Sequence, residues 1–167
     1  MNDQINAYCS ETNEVLPLRD VLPLATPLFI LIDVAIACNF RCSFCPTGDD
    51  ALLKSVGRPN GLMELPLFRK IIDDASEFNP RLQRVLLYKD GEPFLNKDLG
   101  EMIAYAKRKN VASSIETTSN GSLIDRQRAI EIIEAGLDSI RISIEHVTDE
   151  GYKEVTKIFS DYNAIRE

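Results

Sequence analysis

The sequence predicts an α/β fold, a partial TIM-type (β/α) barrel of about four parallel β–α units. Two observations lead there. Strand-like and helix-like patterns alternate four times from Leu28 to the carboxyl terminus, and such a series folds with parallel strands and right-handed crossovers. Polar residues with chemical potential recur at or just past the carboxyl ends of those strands. Parallel strands bring these ends to one rim, the functional end of a barrel. An open α/β sheet fits the alternation too; the rim-like recurrence favours the barrel.

The chain has 167 residues, 44% hydrophobic and 27% charged, enough for one domain with a sizeable core. Its net charge of −7 disfavours nucleic acid as a partner. No apolar run reaches the length of a membrane-spanning helix. The start, Met1-Asn2-Asp3-Gln4, lacks the regions of a secretory signal. With free cysteines, this predicts a cytoplasmic protein.

Residues 1–27, with Pro17, Pro23 and Pro27, form an irregular leader, and 28–167 form the core domain. Leu28–Ile36 is a β-branched, apolar run and reads as the first strand. Thr47–Gly61 holds three glycines and a proline and reads as a loop. A helix follows from Pro66, a residue suited to a first turn, with Phe68, Ile71, Ile72, Ala75 and Phe78 on one stripe. Asn79-Pro80 stops it. Val85–Tyr88 is a second strand. Leu99, Met102, Ile103 and Ala106 mark a second helix, whose negative end suits Lys107, Arg108 and Lys109. Val111–Thr118 is a third strand. Asp125 caps a helix through Ala129, Ile130 and Ile133, ended by Gly136. Ser139–Glu145 is a fourth strand, and Asp149 caps a last helix through Tyr152, Val155, Ile158 and Phe159.

In the fourth strand Ile140, Ile142 and Ile144 share one face, and Arg141, Ser143 and Glu145 the other. In the third, Ile115 and Thr117 oppose Glu116 and Thr118. The apolar face is expected against helices. The polar face then lines the concave side, where charge is costly unless paired or used by a ligand; a solvated face is the alternative.

After the first strand stands Cys38-Asn39-Phe40-Arg41-Cys42-Ser43-Phe44-Cys45, a C-x3-C-x2-C spacing. Three thiolates on one loop can hold three irons of a 4Fe–4S cubane and leave the fourth open for a ligand. A structural zinc site usually wants four protein ligands. Cys9 or His146 would have to complete it, and neither has a paired partner. Cys9 reads as incidental, and His146 as a strand-end surface residue. A disulfide framework belongs to an extracellular setting.

This loop, with Phe44 before the third cysteine, resembles the signature of the radical S-adenosylmethionine (SAM) superfamily. So do Asp90-Gly91-Glu92-Pro93, Thr118-Ser119-Asn120-Gly121 and Ile142-Ser143-Ile144-Glu145 in that order. The chain looks most like SPASM-type and related members. The resemblance implies that Cys38, Cys42 and Cys45 ligate the cluster and that the open iron takes SAM's amino and carboxylate groups. It implies that Phe44 packs near the adenine and that Gly91 and Glu92 meet the methionyl ammonium. Ser143 and Glu145 would approach the ribose or carboxylate, with Thr118 and Ser119 nearby, and Arg141 would partner a carboxylate. It further implies reductive cleavage of SAM to a 5′-deoxyadenosyl radical, hydrogen abstraction from an unknown substrate, and a one-electron donor such as flavodoxin or ferredoxin.

Two departures stand out. Asp90 occupies a position where many members have glycine. Four units are present where the family's core typically has six, and the SPASM cysteine-rich region is absent. The expectation is a truncated core whose fourth strand offers an open edge to a missing segment or a second chain. The competing function is a non-catalytic cluster-binding fragment or partner module.

Overall fold

Four strands, β1 (Phe29–Leu31), β2 (Leu82–Leu86), β3 (Ala112–Ser119) and β4 (Ser139–Ile142), pair in parallel in the order β1-β2-β3-β4. The computed structural model describes Arg19, residues 22–158, Asp161, Tyr162 and Ile165. Most of the leader, Cys9 and Phe159 lie outside the described residues.

Helices α1 (Asp50–Ser55), α2 (Leu65–Ala75), α3 (Leu99–Lys109), α4 (Arg126–Glu134) and α5 (Asp149–Thr156) fall between and after the strands. α3 packs between α2 and α4. Their inner stripes, with Phe68, Ile72, Met102, Ile103, Ala106 and Ile132, share one core with Val85 and Ile115 of the sheet and Leu87 just past β2. This is the expected layering, helices on one face of parallel strands. Asp125 caps α4 by accepting from Arg128 N, and Gly136 beyond its end takes φ 88°, a left-handed turn that suits glycine. Among the described residues no helix is long and apolar enough to cross a membrane.

Several boundaries differ from the sequence expectation. The run Leu28–Ile36 pairs with β2 only over Phe29–Leu31, with one further bond from Ile32 N to Leu86 O. It then changes partner. Met63 N donates to Val34 O at 3.0 Å and Ile36 N to Gly61 O at 2.9 Å, around an antiparallel bridge of Ala35 with Leu62. Ile32 and Val34 remain buried, so the apolar signal reported burial rather than ladder length. The expected loop Thr47–Gly61 contains α1, capped by Asp49. β2 begins three residues before Val85. α2 ends at Ala75, leaving Phe78 partly exposed beyond the stripe. Thr148, not Asp149, caps α5 by accepting from Gly151 N.

β4 stops at Ile142 rather than Glu145. Its last bond runs from Ser143 N to Ser119 O. Beyond that, Gly121 at φ 77° turns β3's chain away, so the next residues have no ladder partner. The apolar face of β4 is accordingly divided. Ile140 packs on the core, whereas Ile142 and Ile144 are 39% and 49% exposed. Among the described residues β4 pairs with β3 alone.

Candidate functional site

The thiol loop leaves the bridge at Ala35 and crosses the carboxyl ends of the strands. Cys45 N donates to Cys42 O and Gly48 N to Cys45 O, each at 3.0 Å, so the second and third thiols sit on consecutive turns. A Cβ on Gly48 would meet Cys42 O at 2.8 Å, so the loop folds onto a bare backbone there. Arg41 N and Ser43 N donate to Thr156 O and Val155 O at 2.9 Å, anchoring the loop to the end of α5. All three thiols are free and half-buried.

The Gly-Glu-Pro turn after β2 docks against the start of this loop. Glu92 N donates to Ala37 O at 2.9 Å. A Cβ on Gly91 would meet Ala35 O at 1.9 Å, which is why only glycine fits. Thr47 Oγ1 donates to Asp90 O at 2.7 Å, tying the far side of the thiol loop to the same turn. The Asp90 carboxylate, the departure noted above, is bound by Arg58.

Glu92 is 2% exposed. Its Oε1 accepts from Phe94 N at 3.0 Å and Ser119 Oγ at 2.8 Å, and its Oε2 from Asn120 N at 2.8 Å. An ionised carboxylate has about four acceptor sites, so these bonds leave one on Oε2. Burial pushes its pKa up, against the pull of the same three bonds. Asn120 Nδ2 donates to Asn39 Oδ1 at 2.9 Å and lies 4.0 Å from Cys38 Sγ. Asn39 Nδ2 in turn donates to Ser122 Oγ at 2.8 Å.

The residues singled out by the sequence are brought together. Cys38, Cys42, Cys45, Gly91, Glu92 and Phe44 line one cleft of about 240 Å³, and Thr118, Ser119, Ser143 and Glu145 complete its wall. Phe44, 66% exposed, stands at its mouth. Arg141 lies on the concave face, bonded to Glu116 at 3.0 Å and Tyr88 Oη at 3.3 Å, and is not part of the cleft lining. His146 accepts from Thr148 N at 3.2 Å at the start of α5, a structural position.

Sequence reasoning missed the Asn39–Asn120–Ser122 bonds, the Thr47–Asp90 link and the anchoring by α5. Asn39 lay inside the quoted motif and could have been noticed. Carbonyl acceptors leave no trace in residue type.

The donor chemistry suits a cluster. Burial, then the Glu145 carboxylate and the neighbouring thiols, push Cys42 up to about 11. Burial chiefly raises Cys38, with Glu92 and Cys45 adding to it. Such thiols ionise only against a compensating cation, which iron supplies. Among the described residues no three ligating side chains group around a single metal-ion position, whereas a cubane takes each thiolate on a separate iron.

The comparisons agree with this chemistry. A family model described as the radical SAM superfamily matches residues 32–166. The chain is 34% identical over 116 residues to Fe-coproporphyrin III synthase of Methanosarcina barkeri, covering 70% of this chain and 27% of that protein. It is 30% identical over 119 residues to a probable GTP 3′,8-cyclase of Methanococcus maripaludis, covering 71% and 37% respectively. In fold it resembles native anSMEcpe with bound AdoMet, with a TM-score of 0.64 at 19% identity, over 84% of this chain and 39% of that one. The chain therefore spans well under half the length of these relatives. A match running from Ile32, just past β1, nearly to the last residue settles the family: the chain belongs to the radical SAM superfamily.

Proposed function

We propose that this chain is the cofactor-binding core of a radical SAM enzyme, acting on a substrate that neither sequence nor cleft identifies. The family's cofactors are a 4Fe–4S cluster and SAM. Cys38, Cys42 and Cys45 would hold the cluster. Glu92, with its one open acceptor site, would receive the methionyl ammonium beside the Gly91 backbone. Ser143 and Glu145 would face the ribose or carboxylate, Thr118 and Ser119 would flank them, and Phe44 would cover the adenine. The chemistry such a pair supplies is one-electron cleavage of the sulfonium C–S bond, giving methionine and a 5′-deoxyadenosyl radical that takes hydrogen from the substrate. The electron would come from a carrier of the flavodoxin or ferredoxin kind. The protein's own part is to orient these groups and keep water from the cleft.

The observation that carries this reading is that all three thiols and the buried Glu92 line the same cleft. Anaerobic reconstitution with iron and sulfide tests it. The expected result is a brown chain with a 4Fe–4S paramagnetic signal, lost in Cys38→Ala, Cys42→Ala or Cys45→Ala. Added SAM and a strong reductant should then give 5′-deoxyadenosine. A chain that takes up zinc but no cluster would end the proposal. The open edge of β4 favours one second reading, a core that binds its cofactors without turnover until another strand covers that edge. A cluster signal that shifts with SAM but yields no 5′-deoxyadenosine would select it.

A further inference from the structure

We propose that α5 is the latch of the thiol loop and that Tyr152 is its pin, a positioning residue that sets Cys42 through the loop backbone. The purpose assigned to the latch rests on the cluster-binding reading above; its geometry does not.

The last carbonyl groups of a helix have no partner within it. In α5 two of these, on Val155 and Thr156, accept from Ser43 N and Arg41 N at 2.9 Å. Those two residues flank Cys42. The end of the helix is itself held. Thr156 is fully buried and its hydroxyl donates to Tyr152 O at 2.7 Å. Lys157 then takes φ 59°, which closes the helix with a bond from its N to Lys153 O.

Tyr152 joins three places at once. It is fully buried, the bulkiest side chain so placed among the described residues. Its ring stands edge-on to Phe40, which lies between Cys38 and Cys42, with centroids 6.5 Å apart. Its hydroxyl oxygen accepts from Glu145 N at 3.2 Å, at the rim end of β4. Tyr162 stacks on its other side at 5.8 Å. α5 takes no part in the packed series of α2, α3 and α4. Its buried Tyr152 and Thr156 instead meet Phe40, the Arg41 amide and the Glu145 amide.

The arrangement has a chemical meaning. Amides near a cluster tune it by bonding to its sulfurs. Here the two amides beside Cys42 are committed to α5 and are withheld from that use. The latch thus fixes both where Cys42 points and which donors the cluster meets.

Hydrogen exchange and thiol alkylation of the metal-free chain test this without any catalytic readout. The Arg41 and Ser43 amides should be protected in the wild-type chain and lose that protection in Tyr152→Leu and Thr156→Val. Iodoacetamide should modify Cys42 about tenfold faster in Tyr152→Leu, the scale of losing one of the two amide bonds that hold the loop to α5. Cys38, which accepts from Phe40 N and neighbours Asn120, should change by less than about twofold on the same scale. Tyr152→Phe keeps the ring and should hold Cys42 near its wild-type rate. In reconstituted protein the Leu variant should show a broadened paramagnetic signal and the Phe variant a sharp one. Rapid exchange of both amides in the wild-type chain would overturn the proposal. So would an unchanged Cys42 rate in a Tyr152→Leu chain with native circular dichroism. If that variant does not fold, wild-type exchange and Thr156→Val decide. A wild-type chain with protected amides that accepts no cluster would keep the latch and remove the cluster reading; a loaded chain with unprotected amides would do the reverse.

Discussion

The two walls of the cleft are built on different terms. Glu92, Ser119 and Asn120 are 2%, 2% and 9% exposed and satisfy one another with neutral bonds and one carboxylate. That wall stands on the core and satisfies its own buried donors, leaving one acceptor site open on Glu92 Oε2. The thiol wall is half-buried and held mainly through its backbone, and burial first, then nearby carboxylates and thiols, raises the pKa of Cys38 and Cys42. It is an arrangement in electrostatic conflict that a cluster of cationic irons would resolve. The contrast predicts that substitutions in the first wall cost stability and that substitutions in the second cost the proposed cluster.

The largest effect should come from the carboxylate wall. Glu92→Leu leaves three buried donors without an acceptor and should cost on the order of 4 kcal/mol by urea unfolding. A loss below about 1 kcal/mol would mean those donors find other partners and the wall is not self-contained. Gly91→Ala comes next. Its Cβ would overlap the Ala35 and Ala37 carbonyls, so the thiol loop's base must shift, at about 3 kcal/mol. Unchanged stability there would show that the two walls are less tightly joined than their contact implies.

Asn120→Ala, at the seam between the walls, should cost about 1 kcal/mol and loosen Asn39 more than Glu92; resonance shifts of both residues would report it. The smallest effect concerns pH. Cys42's pKa is raised in the folded chain from 9.0 to about 11. Folded protein therefore holds that proton more tightly, so its contribution is complete below about pH 9 and is lost as pH rises to about 11. The thermal midpoint of the metal-free chain should fall over that window more than that of Cys42→Ser. The difference should be modest, since the thiol is only half-buried and solvent screens it. It should vanish once a cluster holds the thiolate.

Much of this was legible in residue types. Parallel order and the helix stripes follow from periodicity, and the family resemblance picked out ten of the fifteen residues that line the cleft. What stayed hidden was carried by the backbone. The carbonyls of Val155 and Thr156 could belong to any residues, so nothing marked α5 as a partner of Cys42. The first strand was read too long because Val34 and Ala35 are buried beneath a different partner than Ile30. α1 was missed because the glycines around it outweighed Asp49, its cap, and Leu52 and Leu53 within it. Ile142 and Ile144 were assigned to the core by alternation alone, which specifies a face but not what lies against it.

The change of partner after β1 has a consequence for how this chain can vary. Residues 36 and 61 are stitched together by the bond from Ile36 N to Gly61 O. Between them, α1 buries none of its residues. Its links to the cleft run through Thr47 and Arg58 on its two sides and through Asp50, which pairs with Arg41 at 3.4 Å. Length added between Leu53 and Ser55 would bulge outward from a closed neck, at a loop-closure cost that grows only with the logarithm of its size. Because Asp50 pairs with Arg41 and Arg58 N donates to Leu53 O, a tag inserted there would measure how far the neck alone holds the three thiols.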